Sequence, residues 1–327
     1  EEQTLHLSSK KSNFSIFIIF LLITLIVLLG SSESFTYSKV KNNTKFYKVA
    51  EGSSLYSVIE DLALEPMPKL LLKIYLKTNG INLAQAGLYH LQNKSWREFL
   101  SSISKGDVAI FKLQIPAGKN LFELEDIFLE LNLTYDCINF ECLDKRFRFI
   151  EGTLNPDTYF YKDSASLANI LKVSQDQFFN LSTSIWSNRN IDLPLKSLSE
   201  AIILASIVEK EAGNDEEKAI IAGVFLHRLS IGMRLQADPT IIYGLMPDFN
   251  GDITKANLID KNNLYNTYQI QGLPPTPIST ISKSSLEAVI LGMPNDYLYF
   301  VAKGDGTHKF SKTYKEHLDA VKKYQLN

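Results

Sequence analysis

Several things are scarce in this chain, and each scarcity closes a route. Of its 327 residues only two are cysteines, Cys137 and Cys142. That is too few for a disulfide framework, and the spacing matches no common zinc pattern. A local disulfide outside the cytoplasm and a pair of plain thiols both fit. Charge of one sign is also lacking: 34 Lys and Arg against 36 Asp and Glu leave a formal net charge of −2. Nothing electrostatic therefore points to a nucleic-acid partner. There is no H-E-x-x-H, no P-loop, no dinucleotide fingerprint and no G-x-S-x-G elbow, so neither a metal nor a cofactor is expected. His308 and His317 with Glu316 have no third ligand nearby and read as packing or surface. Tryptophan is rare, with 2 residues, whereas 15 Tyr and 19 Phe supply aromatic surface that suits a packed core first and sugar stacking second.

What is present is ordinary globular protein, 45% hydrophobic and 21% charged, long enough for two domains with their own cores. One long apolar run stands out. Residues 14–29 read FSIFIIFLLITLIVLL without a charge, about 24 Å of helix against a hydrocarbon core of ~30 Å. The run exceeds the ~7–15 apolar residues of a signal peptide, and no A-x-A cleavage site comes after it. The expectation is an N-terminal tail over 1–13, a single transmembrane helix over 14–30 and a polar linker over 31–45. Lys10 and Lys11 precede the span while Lys39, Lys41, Lys45 and Lys48 lie beyond it, so the lysine count alone does not orient it.

Beyond the linker the class reads as α+β: a small domain over 46–145 and a larger one over 146–327. Two stretches, VAEGSSLYSV from 49 and IPAGKNLFEL from 115, share an apolar run, a Gly and then an amphipathic helix. FYKVAEGSSLYSVIEDL (46–62) resembles a LysM-type module, a small βααβ fold that in other proteins holds N-acetylglucosamine polymers. Two βα units without sugar contact are the alternative. Strands are expected near 86–91 and 108–115, and helices at 95–104 and 164–188.

The chemistry concentrates in LSEAIILASIVEKEAG (198–213). Residues 201–208 contain one polar side chain, Ser206, so this helix is buried nearly all round and stops at Gly213. Asn214 with Glu217 forms a capping-box pattern for the next helix. Glu209 and Glu211 are two positions apart and point about 200° away from each other. Glu209 lies above Ile202, Ala205 and Ser206, a face of small residues with room for a ligand. Glu211 lies above Leu204, Ile207 and Val208, a bulky face. The negative end of the helix dipole and burial both raise a carboxyl pKa, which suits protonation of a glycosidic oxygen. A solvated helix end is the competing reading.

LASIVEKEA (204–212), GMRLQADPTIIYG (232–244), YNTY (265–268), GLPPTPI (272–278), YLYFVAKGDGTHKFSKTYKEH (297–317) and EGTLNPDTY (151–159) together resemble the YceG-like family of endolytic murein transglycosylases, from about residue 47 to 324. The resemblance implies a single-pass inner-membrane protein with a LysM-like domain and a catalytic domain in the periplasm or on the outer face. It implies peptidoglycan glycan strands as substrate and cell-wall synthases as candidate partners. It puts the acid/base on Glu209 and the cleft lining on Gln236, Asp238, Tyr243, Asn266 and Tyr268. His227, Ser279-Thr280-Ile281 and the IPAG turn depart from the usual family residues. Two rival functions stay open: a hydrolytic muramidase using Glu209 with Asp238, and a non-catalytic glycan-binding scaffold.

Overall fold

A computed structural model describes residues 2–41, 44–62, 69–249 and 251–326. Contacts divide the chain into two compact units, Glu1–Phe111 and Lys112–Asn327. The mixture of helices and strands agrees with the α+β expectation. The division by contacts falls elsewhere than the 46–145 and 146–327 segments read from sequence. Residues 112–145 pack with the chain beyond them: Ile115 N donates to Asp157 O at 2.9 Å, Thr134 N to Ala165 O at 2.9 Å, and Asp144 N to Gln175 Oε1 at 2.9 Å.

The first unit holds α1 (Glu2–Tyr37), β1 (Phe46–Val49), α2 (Leu55–Leu62), α3 (Lys69–Thr78), β2 (Gly87–His90) and α4 (Trp96–Lys105). β1 and β2 pair antiparallel with Tyr47 opposite Tyr89. The apolar faces of α2 and α4 bury Leu55, Val58, Ile59, Phe99, Leu100 and Ile103 with Tyr89. α4 begins as its sequence predicts: Ser95 and Glu98 form a reciprocal capping box, and Gly106 closes the helix in the left-handed region at φ 71°.

α1 continues through 31–37, so the expected linker is part helix and part core. Phe35 stacks on Trp96 at 5.3 Å, and Val40 is buried. These are apolar residues in an otherwise polar stretch, and burying them outweighs the freedom of a tether. Among the described residues no helix is long and apolar enough to cross a membrane. The side chains of 1–14, 28–29 and 32–33 lie outside the described residues, and with them those of the expected tail and the ends of the expected span. The described side chains between, Ile16 to Phe20 among them, are exposed.

The division between units falls within β3 (Ile110–Gln114). The second unit continues with α5 (Leu121–Leu129), β4 (Thr158–Lys162), α6 (Leu167–Ser187), α7 (Leu198–Glu211) and α8 (Asp215–Ser230). Then come α9 (Asp238–Gly244), α10 (Lys255–Ile259), α11 (Lys283–Ile290), β5 (Tyr299–Ala302), β6 (His308–Ser311) and α12 (Tyr314–Tyr324). β3 pairs with β4, and β5 with β6 as an antiparallel hairpin that sets Ala302 opposite His308. α7 is the central element. Residues 201–208 are all buried, and α6, α8, α9 and α11 pack around it. Phe178, Phe225 and Leu286 fill the space between these helices. Cys137 and Cys142 are joined in a disulfide, Cα–Cα 5.3 Å, closing a short loop.

Gly152 marks a tight place in this unit. It sits at φ +72°, and a Cβ there would lie 2.6 Å from Pro277 Cβ and 2.9 Å from Ser279 O. Neither the proline ring nor the backbone oxygen yields cheaply. Gly152→Ala is expected to lower unfolding stability by about 2 kcal/mol or more, read from urea denaturation. A variant as stable as the parent would show that the 277–279 segment shifts freely.

Candidate active site

The last turn of α7 carries Glu209 and Glu211 in opposite directions, and the two meet very different surroundings. On the Glu209 side, Ala205 and Ser206 are small. The room they leave is taken by the chain itself: Ile278 N donates to Ser206 Oγ at 3.0 Å, and Ser279 Oγ to Ser206 O at 3.4 Å. The proline-rich segment is thereby laid against α7. Glu209 accepts from Ser282 N at 3.0 Å and from Ser282 Oγ at 2.5 Å. Lys218 Nζ of α8 sits 3.4 Å away, itself buried and also bound to Asp215 at 2.5 Å and Ser284 at 3.0 Å. Both Glu209 oxygens are committed to a buried ion-pair network joining α7, α8 and the start of α11. The space that the sequence suggested for a ligand is filled by protein.

Glu211 faces a cavity of about 350 Å³, within the ~300–1,000 Å³ range of small-molecule sites. Arg228, Gln236, Asp238, Tyr268, Tyr299 and His308 line it too, together with Tyr314 and His317 of α12. Burial pushes the Glu211 carboxyl up to about 8; the Asp238 carboxylate adds to the rise and the Arg228 cation opposes it. Both burial and Asp238 thus favour the protonated acid.

Each partner is placed by its own element. Arg228 is buried near the end of α8; its Nε donates to Leu298 O at 2.8 Å and its Nη1 to Leu235 O, and its guanidinium lies 5.7 Å from the Tyr299 ring centre. Two backbone carbonyls orient it with no carboxylate among the described residues in salt-bridge contact, so its charge stays available to the cavity. Asp238 opens α9, where Pro239 fits the first turn. Tyr268 Oη donates to Asp238 Oδ1 at 2.7 Å. Gln236 adopts φ +51°, a conformation that turns it out of line with its buried neighbours Leu235 and Ala237.

Of the six residues put forward from the sequence, the structure therefore brings Gln236, Asp238 and Tyr268 to one cavity and leaves three outside. Glu209 is in the ion-pair network. Asn266 is fully buried, with Nδ2 donating to Asn257 O at 3.0 Å and Asp260 O at 2.8 Å, while its Oδ1 accepts from Tyr268 N at 3.0 Å. It acts as a brace for Tyr268. Tyr243 donates its hydroxyl to Glu151 Oε2 at 2.9 Å, in the interior. Sequence reasoning missed Glu211, Arg228, Tyr299 and His308 as cavity residues. For Glu211 the available signal was its position two residues on, facing the other way. Among the described residues, no group of three or more His, Cys, Asp or Glu is arranged to hold a metal.

The family model described as the YceG-like family matches residues 47–323. A protein of Bacillus subtilis named endolytic murein transglycosylase is 29% identical over 91% of this chain and 89% of its own length. A Streptococcus pneumoniae protein of the same name is 27% identical over 80% of this chain, which spans 55% of that longer relative. The crystal structure of a yceG-like protein from Listeria monocytogenes superposes with a TM-score of 0.57 at 27% identity, covering 84% of this chain and 97% of that one. The chain belongs to the YceG-like family.

The raised Glu211 pKa makes stability depend on pH with a defined sign. Between its ordinary value of 4.5 and about 8, the folded state holds a proton that the unfolded state releases. Folded stability is therefore lost as pH rises through this window. Glu211→Gln removes the titration, so its Tm relative to the parent should climb from pH 4.5 to about 8 and level off above. A constant difference across that range, measured by thermal melts, would contradict the assigned environment.

Proposed function

We propose that this YceG-like protein is an endolytic murein transglycosylase with Glu211 as its proton donor. The observation that carries the reading is a desolvated carboxyl at the end of a buried helix, pushed upward in pKa by that burial and open to a cavity lined by polar and aromatic side chains. Relatives bearing that activity in their names match it over most of the chain.

The bond cleaved is the β-1,4 linkage from N-acetylmuramic acid to N-acetylglucosamine in nascent glycan strands, which would terminate their elongation. Glu211 protonates the leaving oxygen, and the muramoyl 6-hydroxyl closes onto C1 to leave a 1,6-anhydro end. The 6-hydroxyl proton finally returns to the Glu211 carboxylate. No water is consumed, so one carboxyl suffices where glycoside hydrolases generally use two. Gln236, Asp238 and Tyr268 offer polar contacts to sugar hydroxyl and acetamido groups, and Tyr299 and Tyr314 offer aromatic faces. Asp238 shares the cavity with Glu211, so a hydrolytic muramidase remains the reading that product mass must separate.

The same proposal extends to setting. Residues 14–30 anchor the chain in the inner membrane, with the catalytic part in the periplasm or on the outer face, within reach of the synthases that make its substrate. The charge-free run over 14–29 supports the anchor. The Cys137–Cys142 disulfide supports an oxidising compartment. A LysM-like module is supported by the order β1–α2–α3–β2 with its strands paired antiparallel.

Glu211→Gln should lower release of anhydro-ended muropeptides from purified sacculi by at least ~10³-fold, the scale of losing a general acid. Glu209→Gln should stay within ~10-fold of the parent once folding is confirmed, because that side chain does not reach the cavity. Mass spectrometry should find products without added water. Unchanged release by Glu211→Gln would end the assignment, and reducing ends with water added would redirect it to hydrolysis.

A further inference from the structure

Helix α8 departs from the reciprocal capping box that α4, α5 and α12 form. In α4, α5 and α12 the third helical residue, Glu98, Glu123 or Glu316, turns its carboxylate back to the N-cap backbone. In α8 the N-cap Asn214 accepts from Glu217 N at 3.1 Å, but the Glu217 carboxylate does not return the bond. Both of its oxygens go to one distant residue: Oε1 accepts from His308 N at 2.8 Å and Oε2 from His308 Nδ1 at 2.7 Å. Both side chains are close to nine-tenths buried. A capping interaction worth about 1 kcal/mol is thus replaced by a clamp on a histidine.

The clamp fixes more than position. A carboxylate only accepts, so Nδ1 carries a proton toward Glu217, and the tautomer this selects for the neutral ring has its lone pair on Nε2. Nε2 makes no hydrogen bond to the described residues, and His308 lines the cavity that holds Glu211. The turn before His308 is held against the end of α7. Asn214 Nδ2 donates to Gly306 O at 3.2 Å, and Gly213 packs so closely on Gly306 O that no Cβ would fit. A histidine oriented by a carboxylate and sharing a cavity with an acid is the arrangement of a general base with its orienter.

We propose that His308, held by Glu217, is the catalytic base of this site. The inference rests on the transglycosylase reading and deepens it, because that reading leaves open how the 6-hydroxyl proton reaches Glu211. As O6 bonds to C1, its proton passes to His308 Nε2. The C1–O4 bond breaks, and O4 takes the Glu211 proton. The resulting imidazolium, stabilised by Glu217, then returns a proton to the Glu211 carboxylate, restoring both groups with no outside reagent.

The test uses the full chain, detergent-solubilised, with purified glycan strands and anhydro-end release as readout. His308→Gln should lower kcat ~10²–10³-fold with KM little changed, and Glu217→Gln should give a smaller loss in kcat. In His308→Gly, added imidazole should restore turnover, which a structural defect would not permit; it should not restore Glu211→Gln. Turnover of His308→Gln near the parent's, a loss confined to KM, or a folded His308→Gly unmoved by imidazole would overturn the proposal. Inactive Glu211→Gln beside normal His308→Gln would remove the base alone, whereas active Glu211→Gln would remove the reading beneath it.

Discussion

The second unit depends on one constraint: two carboxylates two residues apart at the end of a helix that is buried on every side. A helix turns about 200° over that spacing, so the pair cannot serve one purpose. The protein uses the split. Glu209 faces α8 and the start of α11, where Lys218, Ser282 and the Ser282 backbone neutralise and bond it. Removing either member of such a pair leaves a buried charge without compensation, so the network fixes the end of α7 firmly. Glu211 points the other way by helix geometry, toward the cavity it shares with Arg228 and Asp238, without an ion pair of its own.

Much of this was legible in the sequence. The helix over 198–213, the capped helix that follows from Asn214, the N-cap at Ser95 and the strands near 86–91 and 108–115 come from periodicity and capping residues, because local energetics decide them. The motifs carried the family as well. The face of α7 was the hard part. Small residues beneath Glu209 suggested room for a ligand, yet the same smallness lets residues 278–282 approach, and from one helix the two cases look alike. Periodicity says which face is small; only tertiary packing says what fills it. Asn266 and Tyr243 illustrate a second limit, since polar residues within a motif serve it equally by bracing Tyr268 or by bonding Glu151 in the interior. The 31–45 linker shows a third: Phe35 and Val40 were too few to register as periodic, yet both found a core.

A raised carboxyl pKa does not by itself identify the reacting acid, and this unit supplies the contrast. Glu151 is also pushed upward, to about 7, mainly by burial. Its oxygens are occupied by Leu121 N at 3.1 Å, Gly152 N at 3.1 Å and Tyr243 Oη at 2.9 Å, and it is 4% exposed. Every donor it needs comes from the chain, so it fastens α5 and the Gly152 turn to α9, with no opening for a substrate. Glu211 is raised further but accepts no hydrogen bond from the described residues, and its free side is the cavity. Desolvation raises both, and the difference lies in what is left unbonded. A buried acid satisfied by its own chain is a structural joint. An acid held protonated, left without donors and turned toward open space, is stabilised only by what enters that space, and the folded protein keeps this debt of stability because a bound glycosidic oxygen can relieve it.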